Sequence, residues 1–105
     1  MSLIPHYKPE ARIDIAEIGF YFAQRASDVE NRFYQELDKT IQMLVASPNL
    51  GERCQFRNPE TKGMRIWQVS KFSNYLIFYL SKGDLLEIVR VIHGARNYTT
   101  IFNNE

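Results

Sequence analysis

The densest group of side chains able to do chemistry lies near the C-terminus. Arg90, His93, Arg96, Asn97 and Tyr98 fall within nine residues, and Arg65 can join them from an upstream strand. Clustered guanidinium groups suit the clamping of a carboxylate or a phosphate backbone, because the planar fork donates two parallel hydrogen bonds. Histidine titrates near neutrality and can move a proton. A metal-independent ribonuclease needs a base for the 2′-hydroxyl, cations on the developing phosphorane and an acid for the leaving oxygen. On that reading His93 moves the proton and the arginines supply the cations. The same residues serve equally well as structure. Arg90 sits between Val89 and Val91 and can stay on a sheet by pairing with Glu87 or with an acid on a helix. His93 can close a strand end, with Gly94 turning the chain away.

Other chemistries find little support. His6 and His93 are the only histidines and Cys54 the only cysteine, so neither an internal disulfide nor a zinc spacing is available. No glycine-rich phosphate loop, nucleophile elbow or paired-histidine motif occurs, and no metal or cofactor is expected. No apolar run approaches the length of a membrane span, and no basic-then-apolar leader opens the chain. The expectation is a cytoplasmic protein with no membrane contact, consistent with a single reduced cysteine.

The 105 residues, 45% apolar and 24% charged, fit one domain over 1–105. Net charge is +1, but residues 10–47 carry seven acids and four bases, and residues 48–105 carry eight bases and five acids. The C-terminal half can present a basic face to an acidic partner.

These side chains must be positioned by elements legible from their periods. Residues 3–8 read as an edge strand, because Pro5 cannot donate to a ladder. Pro9 can open a first helix reaching about Arg25, with Ala11, Ile15, Ile18 and Phe22 on one stripe and Arg12, Asp14, Glu17 and Gln24 elsewhere. Gly19 inside that helix costs about 1 kcal/mol against alanine, and either permits the close approach of a neighbour or is neutral variation. Ser27 and Glu30 have the spacing of a capping box for a second helix. That helix runs to about Ala46, with Val29, Phe33, Leu37, Ile41 and Leu44 on one side, and Ser47-Pro48 ends it. One or two residues between the helices imply an antiparallel hairpin. A loop over 48–63 has room for a short strand near Cys54–Arg57.

Beyond Met64 the period becomes strand-like. Met64–Ser70 places Met64, Ile66 and Gln68 on one face and Arg65, Trp67 and Val69 on the other. Tyr75–Leu80 is apolar throughout, as in a central strand covered on both faces. Gly83 supplies the turn. Leu85–His93 puts Leu86, Ile88, Arg90 and Ile92 on one face, and Glu87, Val89, Val91 and His93 on the other. The predicted fold is α+β: an edge strand, a helical hairpin and a three-stranded antiparallel meander in two layers. Tyr98, Ile101 and Phe102 in the tail can either pack back on the sheet or dock another chain.

Several segments resemble the ParE family of toxins, within the ParE/RelE toxin superfamily. Pro9–Tyr21 is similar to the family's first-helix pattern, with Ile15 where leucine is usual. Pro48-Asn49-Leu50-Gly51 resembles its post-hairpin loop, Gly63-Met64-Arg65 the start of its second strand, and Tyr75–Tyr79 its central strand. Ile88–Asn97 resembles the ending Ile-Val-Arg-Val-Leu-His-Gly-Ala-Arg-Asp, with Asn97 in place of the aspartate. The resemblance implies the same two-layer fold and the toxin component of a type II toxin–antitoxin module. Such toxins commonly inhibit DNA gyrase through protein–protein contact and are neutralised by a ParD-like antitoxin, through which operator DNA is engaged only indirectly. Arg65, Arg90, His93, Arg96, Asn97, Tyr98, Ile101 and Phe102 are then the expected target or antitoxin contacts.

The related RelE branch implies a ribosome-dependent messenger RNA endoribonuclease instead, with Arg65, Arg96, Tyr98 and His93 as its catalytic candidates. Trp67 and Leu76 stand where that branch is expected to carry bases, and an apolar Leu76 cannot stabilise phosphorane charge. Asn97 raises a third reading, a non-toxic homologue that binds its antitoxin and acts as co-repressor.

Overall fold

Strand β1 (Ile4–Tyr7) hands the chain at Lys8 to helix α1 (Pro9–Ala23), and α1 turns through Gln24–Ala26 into α2 (Ser27–Ala46). A computed structural model describes residues 2–103. After the hairpin come β2 (Glu52–Arg53), a 3-10 turn at Pro59–Thr61, β3 (Arg65–Val69), β4 (Phe72–Lys82), β5 (Leu85–His93) and a short helix α3 (Tyr98–Asn103). The sheet order is β1-β5-β4-β3-β2. The meander β3–β4–β5 is antiparallel as predicted, and β1 is indeed an edge strand. It joins β5 in parallel, because the intervening hairpin returns the chain to the same end of the sheet. The short strand lies at Glu52–Arg53 rather than Cys54–Arg57, where it pairs with Ile66 and Arg65.

Both sheet faces are covered. Phe33, Leu37, Ile41 and Leu44 from α2 close a core with Val69, Ile77, Tyr79, Leu86, Ile88 and Val91. Ile15, Ile18 and Phe22 of α1 pack on it half-buried. On the opposite face Met64, Phe78, Leu80, Ile92 and Phe102 form a second cluster, with Phe56, Tyr98 and Ile101 against it. Strand β4 therefore feeds both cores in alternation, which accounts for its wholly apolar sequence. The tail packs back on the sheet, and of its two open readings the docking segment does not hold for Phe102, which is buried.

Three local expectations are corrected. Helix α1 stops at Ala23, leaving three residues in the connection. The capping box does not form: Ala26, extended at φ −164°, is the N-cap, and the Glu30 N–H donates to the Ala26 carbonyl. Ser27 is already helical, so its hydroxyl is not at the capping position. In β5 the face assignment fails after Ile88. Tyr79 pairs with Ile88 while Phe78 pairs with Arg90, so Val89 is an inserted bulge residue. The bulge reverses the alternation, sending Val91 to the hairpin core and Ile92 to the second one.

Gly19 has the role its position suggested. A Cβ there would come within 1.8 Å of the Tyr34 hydroxyl on α2. Alanine at this site should therefore force Tyr34 outward. In a Tyr34→Ala background, chemical melts should show Gly19→Ala stabilising by about 1 kcal/mol, the helix-propensity difference. The same substitution in the intact chain should gain measurably less.

Candidate functional site

The end of β5 is built by what replaces β1 beside it. The Lys8 N–H donates to the Ile88 carbonyl at 3.0 Å, after which α1 rises over the strand. Asp14, in the second turn of α1, then takes the place of a neighbouring strand. Its carboxylate accepts from the Val91 N–H at 3.1 Å and from Arg90 Nε and Nη2 at 2.6 and 2.9 Å. The carboxylate's bonds raise the Arg90 pKa above its ordinary value against the opposing pull of burial, with Glu10 and Glu17 adding to the rise. Arg90 is thus held by an acid on a helix, one of the two structural partners considered for it, and its guanidinium is committed internally. Asp14 was placed off the apolar stripe by sequence, yet it is 5% exposed. Its spacing of three from Ala11 and four from Ile18 was the available signal.

Past Asp14, α1 and the strand end form a cleft of about 180 Å³, walled by Glu17, Ile18 and Tyr21 on one side and by Tyr75, His93 and Arg96 on the other. A second hollow of about 340 Å³, bordered by Lys71 and Asn74, shares Tyr21, Tyr75 and His93 with it. The turn carrying His93 and Arg96 is fixed by backbone bonds from Gly94 N–H to Asn74 O (2.7 Å) and from Arg96 N–H to His93 O (3.0 Å). His93 Nδ1 accepts from the Ala95 N–H at 3.0 Å, which leaves Nε2 to carry the ring's proton in the neutral form. Its ring meets Tyr75 edge-on at 5.0 Å. Burial, and then the nearby Tyr21 hydroxyl, raise the Tyr75 pKa, partly opposed by Arg25, so the phenol is neutral at physiological pH. The Arg25 guanidinium lies 3.7 Å from the Tyr21 ring centre, a cation–π contact that steadies the mouth of the cleft. Arg96 is exposed and makes no side-chain ion pair among the described residues.

The other predicted residues lie elsewhere. Arg65 does not join His93, because on β4 it faces Tyr79 whereas His93 faces Tyr75. Four residues of strand put them roughly 13 Å apart along the sheet. Arg65 Nη1 instead donates to the Gly51 carbonyl at 2.7 Å. The buried Tyr79 hydroxyl donates to Pro48 O at 2.7 Å and accepts from the Gly51 N–H at 2.9 Å. Arg65 and Tyr79 thus pin the Pro48–Gly51 loop. Asn97 Oδ1 accepts from the Thr100 N–H at 3.3 Å, at the start of α3. Tyr98 and Phe102 pack on Phe78 at 5.2 and 4.7 Å, and Ile101 is half-buried beside them. Sequence reasoning missed Glu17, Tyr21 and Tyr75 as cleft walls, since only the docking of α1 on β5 brings them together.

A helical hairpin on a mixed sheet, with a charged aromatic cleft where α1 meets the last strand, defines a small α+β domain with solved relatives. It is similar to a chain of the chromosomal ParDE TA system from P. aeruginosa, with a TM-score of 0.68, 16% identity, and coverage of 88% of this chain and 96% of that one. At that identity the likeness is one of fold. No curated protein sequence gives a match. The model of the ParE toxin of the type II toxin–antitoxin system, parDE, matches residues 6–98, and the chain belongs to this family.

Proposed function

We propose that this toxin acts by binding DNA gyrase, that a ParD-like antitoxin neutralises it, and that operator DNA is reached only through that antitoxin. The observation carrying this reading is the cleft at the end of β5, where Arg96 is exposed beside His93 and two tyrosines. Contact is favoured over RNA cleavage by how the catalytic candidates are spent. Arg65 holds the Gly51 carbonyl and the Tyr98 ring packs on Phe78 in the second cluster, so neither lines the cleft with His93 and Arg96. The reading places the protein in the cytoplasm with gyrase, and no helix of the described residues is long and apolar enough to cross a membrane.

A supercoiling assay tests it: purified toxin should inhibit gyrase and accumulate cleaved DNA, and normal supercoiling at saturating toxin would refute it. Arg96→Ala should abolish most growth arrest on induction while changing stability by less than about 0.5 kcal/mol, as expected for an exposed side chain. Parallel thermal melts and growth curves separate the two effects. Asn97→Asp bears on the idea of an attenuated copy. Either side chain offers an oxygen to the Thr100 N–H, so urea melts should differ by less than about 1 kcal/mol. A large rise in toxicity at that equal stability would assign Asn97 to the contact surface.

A further inference from the structure

The loop between β2 and β3 packs Cys54 and Phe56 on the sheet face opposite the hairpin and borders a half-open hollow of about 560 Å³, a volume usual for small-molecule sites. Arg53 and Lys62 stand in its wall, and no carboxylate among the described residues lines it. Neither cation is ion-paired among the described residues, whereas Lys8 and Lys82 approach Glu87, and Lys39 and Lys71 approach Glu36. Both side chains are thus unpaired and available to an anion, with Glu52 and Glu60 the acids nearest them in the sequence.

Both acceptors of Asn58 are already used. Asn58 Oδ1 takes the Glu60 N–H at 2.9 Å, and the Asn58 carbonyl takes the Thr61 hydroxyl at 2.6 Å. The amide NH2 of Asn58 is left as a donor, and Gln55 offers a donor and an acceptor. Burial, aided by Glu52, pushes the Cys54 thiol up to about 11, so it stays neutral and adds no repulsion. Phe56 also lines the cavity and is backed by Phe102 at 5.0 Å, with the rings tilted by 30°. A backed, half-buried ring is a stacking surface for a planar base.

We propose that this cavity binds a phosphate-bearing nucleotide, with its phosphates held by Arg53 and Lys62 and its base laid against Phe56. Free nucleotide and single-stranded RNA both present that chemistry. The site lies across the sheet from the His93–Arg96 cleft and does not depend on the gyrase reading.

Calorimetric titration of the full chain with ADP, and separately with a short single-stranded RNA, tests the proposal. ADP should bind saturably. The double variant Arg53→Gln/Lys62→Gln should weaken it by roughly tenfold or more, the scale of one or two charge-assisted hydrogen bonds. Arg32→Gln/Lys39→Gln removes the same charge from α2 and should leave binding unchanged. Amide shifts of the unmodified chain on adding ADP should concentrate in residues 53–63, a readout that stands even if a variant folds poorly. RNA held more tightly than ADP, with the same loss in the Arg53/Lys62 variant, supports the site and assigns a strand as its source. ADP held as tightly or more tightly supports a free nucleotide. Absence of saturable binding by either ligand, equal weakening in the α2 control, or shifts centred elsewhere would overturn it.

Discussion

Asp14→Ala is expected to destabilise the fold by about 3–5 kcal/mol, the range for removing one partner of a buried ion pair. The carboxylate is 5% exposed and its guanidinium partner 19%, so water reaches neither freely. Its loss strands the Arg90 charge and also orphans the Val91 N–H, which has no β1 residue to meet it. Asp14→Asn keeps an oxygen for Val91 and should cost less. Replacing both members, Asp14→Ala with Arg90→Met, should recover much of the loss, because the desolvated charge is then gone. Urea melts of the three variants supply the check. A loss under about 1 kcal/mol for Asp14→Ala would mean that the pair contributes no more than an exposed one. The same contact fixes α1 against β5, so the cleft wall formed by Glu17 and Tyr21 should loosen with it.

Phe33→Ala is the second large effect, expected at about 3–5 kcal/mol from lost burial and an unfilled cavity. The ring is fully buried and lies 5.3–5.5 Å from Phe72, Phe22 and Tyr75, in edge-on or tilted contacts. Each such aromatic pair adds about 0.5–1.5 kcal/mol beyond area burial. Leu37→Ala, one turn along and 5% exposed, should cost about 2–5 kcal/mol by the cavity term alone. Less than about 1 kcal/mol for either would contradict the hairpin core. Phe33 also carries a functional consequence, since it supports Tyr75, and Tyr75 supports His93. A milder Phe33→Leu change should thus weaken target contact more than its stability loss accounts for.

Elements whose identity depends on neighbours along the chain were legible. Phe33, Leu37, Ile41 and Leu44 recur at helical spacing because one face of α2 is buried, and a burial requirement writes itself into sequence as a period. The unbroken apolar run Tyr75–Leu80 announced a strand covered on both faces, and Gly83 announced a turn that takes φ +57°. The cluster at the end of β5 was legible as well, but only as a set of residue types. Which of them are free was not: Arg90 turned inward to Asp14, Arg65 lay four residues down the sheet against the Gly51 carbonyl, and Phe102 entered the second core.

The reasons for the misses are geometric. A bulge at Val89 is decided by the cross-strand register of β4 and β5, and one inserted residue reverses every face assignment after it. The capping box failed because the hairpin turn placed Ala26 rather than Ser27 at the helix start, a choice made by how α1 and α2 pack. Sequence alone thus established the two-layer α+β fold, the core stripes and the C-terminal cluster, all products of local pattern. The working surface of that cluster, with Arg96 and His93 against Tyr21 and Tyr75, was decided by tertiary structure, because it exists only where a helix from the first quarter of the chain crosses the end of its last strand.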